Sequence, residues 1–271
     1  MKKAYIGIDV GSVSTNVVAI DDQNQLIFHY YVRTNGAPID SVKKGLEKLK
    51  KTLDGKWTVN GAGTTGSGRQ IAGLMVGADV VKNEISAHAV ATINEVPDVR
   101  TIFEIGGQDS KYIRLKDGKV VDFEINKACA AGTGSFIEEQ ANKLGITLEE
   151  FQNLAFTSQT PCKLGERCTV FMENSLIINL HKGARKEDIV AGLCYSIAEN
   201  YINRVVSGKQ IGKRIFFQGG VAFNKAVISS FENFLKAKFD RQLELVIPPH
   251  HEVMGAIGVA LIVRDFMKNN K

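Results

Sequence analysis

One segment of this chain is written twice, 95 residues apart. Ile6-Gly7-Ile8-Asp9-Val10-Gly11-Ser12-Val13-Ser14-Thr15-Asn16-Val17-Val18 aligns with Thr101-Ile102-Phe103-Glu104-Ile105-Gly106-Gly107-Gln108-Asp109-Ser110-Lys111-Tyr112-Ile113. Each copy is an apolar strand, an acidic residue, a glycine turn and a second alternating strand. Each then reaches a polar turn, Asp21-Asp22-Gln23-Asn24 or Lys116-Asp117-Gly118-Lys119, and a third strand. Two meanders of this kind, each followed by helical patterns, predict two similar α/β lobes. At 271 residues the chain has room for both.

The first lobe is expected over residues 1–98, with a helix at Ile39–Leu53, a strand at Trp57–Gly63 and a helix at Lys82–Glu95 that stops before Pro97. The second is expected over 99–271. Its elements are a long helix from Arg185 to Val206, with Ile189, Leu193, Ile197, Tyr201 and Val205 at four-residue spacing, and strands at Arg214–Gln218 and Leu243–Ile247. A final helix over 254–268 is expected to pack back on the first lobe. The whole is read as α/β, with a cleft between the lobes.

Where strands end in glycine turns, backbone N–H groups can approach an oxyanion closely. Asp9, Gly11, Ser12, Ser14 and Thr15 form one such turn, and Gly106, Gly107, Gln108 and Asp109 its repeat. Gly219, Gly220 and Val221 follow a third strand. A lone turn of this type is common in hairpins, but two in register, each beside an acid, predict nucleotide binding. Asp9 and Asp109 can hold Mg²⁺ through water as hard oxygen ligands, and Gln108 can orient an attacking water. Thr64-Thr65-Gly66-Ser67-Gly68-Arg69 is either a further phosphate contact or a lobe-closing turn.

Lys127-Ala128-Cys129-Ala130-Ala131-Gly132-Thr133-Gly134 places a cysteine before a glycine-rich opening, followed by Ile137, Ala141 and Leu144 on one helical face. Cys168 precedes Thr169-Val170-Phe171 similarly. Thiolates at helix starts are favoured by the helix dipole, and two per chain read as half of a four-thiolate metal site or as two buried small hydrophobes. Such a site suits zinc as well as iron–sulfur. Cys194 lies in an apolar stripe and reads as packing, whereas Cys162, between Pro161 and Gly165, reads as a loop thiol. His88, near Glu84, reads as a helix residue. His250 and His251 follow Pro248-Pro249, with no further ligand of suitable spacing nearby in sequence.

Nothing points to export, since Lys2 and Lys3 lead straight into a strand containing Asp9, so a cytoplasmic location and reduced cysteines are expected. No apolar run is long enough to span a membrane. The net charge of +5 is scattered. The lysines between Lys43 and Lys51 leave Leu46, Leu49 and Leu53 on one stripe, which reads as a solvated helix face and not a nucleic-acid patch.

The paired loops and Phe217-Gln218-Gly219-Gly220-Val221-Ala222 resemble the nucleotide motifs of actin, sugar kinases and 70-kDa heat-shock chaperones. With Cys129-Ala130-Ala131-Gly132-Thr133-Gly134 and Arg167-Cys168-Thr169-Val170-Phe171, the chain resembles activators of 2-hydroxyacyl-CoA dehydratases and the related reductases of double-cubane proteins, the BadF/BadG/BcrA/BcrD-type ATPases. The resemblance runs from Tyr5 to about Val263. It implies two actin-like (ribonuclease H-like) lobes, binding of ATP or ADP with Mg²⁺, and a homodimer holding one 4Fe-4S cluster on Cys129 and Cys168 of each chain. It also implies a low-potential electron passed to a partner dehydratase or double-cubane protein, and a ferredoxin- or flavodoxin-like donor upstream. Glu104 departs from that pattern, which has Asp there, and Cys162 adds a third cysteine shortly before Cys168. The competing readings are a small-molecule kinase of the same fold and a zinc-stapled nucleotide switch.

Overall fold

A computed structural model describes residues 1–126, 132–165, 169–239 and 242–270, with backbone alone at 169–171. The chain divides into two compact units, one of Met1–Val99, Leu115–Val120 and Pro249–Lys271, the other of Arg100–Arg114 and Val121–Pro248.

In the first unit the order is β1 (Lys2–Val10), β2 (Ser14–Asp21), β3 (Leu26–Arg33), α1 (Pro38–Leu53), β4 (Trp57–Thr65), α2 (Arg69–Val76), β5 (Val80–Val81) and α3 (Glu84–Glu95). The last helix of the chain, α9 (Met254–Asn269), joins them. The sheet order is β3-β2-β1-β4-β5. Strand side chains alternate between faces, and the two faces fill two clusters. Ala4, Ile6, Ile8 and Val10 pack with Val42, Leu49 and Leu53 of α1, while Tyr5, Val18 and Ile20 pack with Ala256, Ala260 and Val263 of α9. Gly7 lies on the α9 side, where a Cβ would stand 1.9 Å from the Ala256 carbonyl oxygen. Helix backbone therefore rests directly on strand backbone, and only glycine admits that approach. The lysines of α1 are solvent-facing, as its stripe of leucines requires.

The second unit contains β6 (Thr101–Ile105), β7 (Ser110–Lys116), β8 (Lys119–Ile125), α4 (Gly134–Lys143), α5 (Leu148–Thr157), α6 (Thr169–His181), α7 (Lys186–Asn200), β9 (Arg214–Gln218), α8 (Lys225–Lys238) and β10 (Glu244–Val246). Its sheet order, β10-β9-β6-β7-β8, repeats the first with the same connectivity. The register repeats as well. Asp9 pairs antiparallel with Asn16 and parallel with Thr65, and Glu104 pairs antiparallel with Lys111 and parallel with Gln218.

The long helix expected to run to Val206 keeps its α-helical period only to Asn200; Tyr201–Val206 continue as a π-helix. The looser turn sets the Tyr201 hydroxyl 2.7 Å from the Lys111 carbonyl oxygen, to which it donates. The strand over Leu243–Ile247 is shorter than expected, at Glu244–Val246. Helices α2, α5 and α8 were not anticipated, although Thr147 and Glu150 give α5 a complete capping box. Among the described residues no helix is long and apolar enough to cross a membrane.

Candidate functional site

Asp9 ends β1, half-buried, and three segments of the first unit converge on it. The turn behind it is closed by the Gly11 amide donating to the Ser14 carbonyl at 2.9 Å. Thr34 braces the same turn. Its hydroxyl donates to the Gly11 carbonyl at 3.0 Å and shares a buried 2.9 Å hydrogen bond with the Thr15 hydroxyl. Thr15 is thus held inside the turn, whereas Ser12 faces solvent.

The second segment is the turn after β4. Gly66 has a φ of +85°, and a Cβ there would lie 2.4 Å from Asp9 Oδ1 and 2.5 Å from the Val10 carbonyl oxygen. The Gly68 amide donates to that same carbonyl at 2.8 Å. The third segment is the first turn of α9, where a Cβ on Gly255 would lie 2.3 Å from Asp9 Oδ2. His88, buried on α3, borders Gly255 from the other side, with Cε1 3.2 Å from that Cβ position.

The second unit builds the same turn from different residues. The Gly106 amide donates to the Asp109 carbonyl at 3.0 Å, the counterpart of the Gly11–Ser14 bond. Gly219 has a φ of +97°, and a Cβ there would lie 2.3 Å from the Ile105 carbonyl oxygen and 2.9 Å from Glu104 Oε1. Gly66 and Gly219 are therefore equivalent. Each follows the strand parallel to the acid-bearing strand, in a left-handed conformation, with its Cα against the acid and the next carbonyl. The Thr64–Arg69 turn is thereby placed as the first-unit counterpart of Gln218-Gly219-Gly220.

The residues before these glycines share a further property. Thr65 and Gln218 are fully buried, and neither the Thr65 hydroxyl nor either amide atom of Gln218 has a hydrogen-bond partner among the described residues. Buried polar atoms of native proteins are almost always paired with protein, water or ligand. In each unit such a group stands at a strand end beside an acid and a glycine cradle, where it fits a polar partner with oxygen-rich groups.

Glycines 106 and 107 also receive α4. The Gly134 and Ser135 amides donate to the Gly106 and Gly107 carbonyls at 2.9 and 2.8 Å, and Val221 lies over Gly134. Gly106, Gly107, Gly219, Gly220 and Val221 are thus brought together, with Gln108 exposed at the tip. Helix α4 begins at Gly134 with Thr133 as its N-cap, and Cys129 precedes that cap by four positions in the sequence. Cys168 directly precedes α6 in the sequence. Both cysteines lie outside the described residues.

Glu104 is buried, and its carboxyl pKa is raised, first by loss of solvent and against the opposing effect of Lys111. Lys111 Nζ donates at 2.8 Å to both Glu104 Oε2 and Asp109 Oδ1. Sequence reading missed Lys111, whose counterpart in the first repeat is Asn16. A lysine in the alternating strand opposite the acid was the available signal.

Cys162 lies in the 158–165 loop, held against α7. Its amide donates to the Asp188 carbonyl at 2.9 Å, and a Cβ on Gly192 would lie 2.2 Å from the Cys162 carbonyl oxygen. Burial, then the Asp188 charge, push its thiol up. Cys194 is buried in the core with its thiol pushed up to about 12 by desolvation, as a packing residue should be.

The model of the BadF/BadG/BcrA/BcrD ATPase family matches residues 6–263. An activator of lactoyl-CoA dehydratase from Anaerotignum propionicum is 34% identical over 262 residues, covering 94% of this chain and 95% of that one. The crystal structure of Acidaminococcus fermentans (R)-2-hydroxyglutaryl-CoA dehydratase component A superposes with a TM-score of 0.85 at 31% identity, covering 98% of this chain and 99% of the other. A ROK-family glucokinase from Streptomyces griseus, with a TM-score of 0.57 at 13% identity over 97% of this chain and 99% of that one, shares the fold alone.

Proposed function

From the premise that the chain belongs to the BadF/BadG/BcrA/BcrD ATPase family, we propose that it is an ATP-hydrolysing electron-transfer protein. It acts as a homodimer that delivers low-potential electrons to a partner iron–sulfur enzyme of the 2-hydroxyacyl-CoA dehydratase or double-cubane type. The observation that carries the nucleotide part is the duplicated acid–glycine turn, with buried polar groups at Thr65 and Gln218 that have no partner among the described residues.

The nucleotide-contacting residues are Asp9, Gly11, Ser12, Ser14 and Thr15 with Gly106, Gly107, Gln108, Gly219, Gly220 and Val221. Among the Thr15 groups it is the backbone that serves, because its hydroxyl is bonded to Thr34. Asp9 and Asp109 would hold Mg²⁺ through water, and Gln108 would orient the water that attacks the terminal phosphate. Lys111 fixes the Asp109 carboxylate and keeps the buried Glu104 compensated. Different contacts to ATP and ADP then favour different subunit arrangements, which any nucleotide-driven switch requires.

Cys129 and Cys168 of both protomers together offer four thiolates, the donor set that a 4Fe-4S cluster takes. A cluster bound there supplies one-electron redox chemistry, refilled by a ferredoxin- or flavodoxin-like donor. Cys162 is given no place in that donor set; its amide is bonded to the Asp188 carbonyl on α7.

Anaerobic purification followed by iron, sulfide and zinc analysis tests the proposal. About four irons per dimer are expected; Cys129→Ala or Cys168→Ala removes them, and Cys162→Ala retains them. Zinc without iron would establish the stapled switch instead. ATP turnover that yields a phosphorylated small molecule would establish a kinase.

A further inference from the structure

The fold brings together three ligand-bearing side chains that the sequence keeps far apart. His29 lies on β3, the edge strand of the first sheet, opposite Val18. His250 and Glu252 lie in the turn that leads into α9. One ligand atom each from His29, His250 and Glu252 falls within 4.8 Å of the other two. The two imidazole rings stand 4.5 Å apart, centroid to centroid, tilted by 50°.

Two fixed points hold this arrangement. The Val253 amide donates to the His250 carbonyl at 3.0 Å, closing the turn, and Asn16 Nδ2 on β2 donates to the Glu252 carbonyl at 3.4 Å. His251 Nδ1 stands 3.8 Å from Glu252 Oε2, where it can orient the carboxylate as outer partners of metal ligands do.

We infer that His29, His250 and Glu252 form a binding site for a borderline divalent transition-metal ion, with Zn²⁺ the type case. Two imidazoles and one carboxylate are a donor set that zinc, cobalt, nickel and copper take, leaving one position for water. Ligand atoms around a tetrahedral zinc stand about 3.3 Å apart, so modest side-chain rotation closes the remaining distance. The nucleotide turns contribute none of its three ligands. Its occupancy would tie the edge strand to the turn before α9, and Gly255 against Asp9 lies three residues beyond Glu252.

Co²⁺ titration of the intact protein, followed by visible absorption, tests the inference. In a Cys129→Ala/Cys168→Ala background, which removes the cluster thiolates, about one Co²⁺ per chain is expected to bind with weak d–d bands and no thiolate charge-transfer band. His29→Ala and His250→Ala should each weaken that binding at least tenfold, and His29→Asp, which puts a carboxylate oxygen in place of the imidazole nitrogen, should recover part of it. Thermal unfolding without cobalt checks that the variants fold, and cobalt should raise the midpoint of the wild type but not of His250→Ala. Unchanged affinity in both alanine variants, or cobalt bound only with thiolate charge transfer, would overturn the site and leave the histidines as a stacked pair.

Discussion

Lys111 Nζ lies 2.8 Å from Glu104 Oε2, and both side chains are almost wholly withdrawn from solvent. Removing one member of a buried pair strands the other and costs about 3–5 kcal/mol. Lys111→Met should therefore destabilise the chain by that amount in urea unfolding, and Glu104→Leu in the same background should recover most of it. The pH dependence follows from the raised carboxyl pKa of Glu104. The folded group keeps its proton where the unfolded one has lost it, so stability falls as pH rises above about 4.3, the ordinary glutamate value. That fall should be steeper in Lys111→Met than in the wild type.

Gln218 is buried, and its amide has no hydrogen-bond partner among the described residues. A methionine keeps the volume and removes the desolvation cost, so Gln218→Met should raise nucleotide-free stability by about 1–3 kcal/mol. The same change should weaken ATP binding. Thermal unfolding with and without MgATP measures both, and a variant that is more stable yet binds ATP normally would remove Gln218 from the nucleotide site.

Gly255 presses on the Asp9 carboxylate, where a Cβ would lie 2.3 Å from Oδ2. Gly255→Ala must displace Asp9 or the start of α9, an overpacking that costs about 1–3 kcal/mol. Titration calorimetry should show at least a tenfold loss of MgATP affinity. Unchanged affinity, paired with unchanged affinity in Asp9→Asn, would mean that Asp9 plays no part in binding.

Asp188 anchors the loop that carries Cys162. Its carboxylate accepts from the Ser158 hydroxyl at 2.7 Å, the Arg185 Nε at 3.1 Å and the Thr160 amide at 3.3 Å. These partners, Arg185 first, hold its pKa well below the usual carboxylate range. The resulting stability is present above the unfolded value of about 3.9 and is lost as pH falls below it. Asp188→Asn should lower urea midpoints at neutral pH and flatten their decline in acid. It should also speed alkylation of Cys162, since the loop loosens and a neighbouring negative charge is gone.

Much of this architecture was legible without coordinates because its signals are local. Alternation marks β1, β2, β6 and β7, the 95-residue repeat announces two equivalent sheets, and Asp9, Gly106 and Gly219 stand at strand ends where periodicity stops. Helix α2 is short and broken by Gly73, and the π-helix at Tyr201 keeps the α-helical spacing in its sequence, whereas α8 carries a legible signal in its Asn224 cap and in Val227, Phe231, Phe234 and Leu235 at helical spacing.

The sequence by itself determined the two meanders, the acid–glycine turns and the presence of two cysteine motifs, since strand alternation and turn chemistry act within a few residues. Tertiary structure alone decided that Gly66 answers Gly219, that Lys111 compensates Glu104 across a strand pair, and that His29 meets His250. The physical reason is the same in each case. Strand pairing and helix docking convert long sequence separations into contacts of a few ångströms, and no local pattern encodes which distant carbonyl, charge or ring will be waiting there.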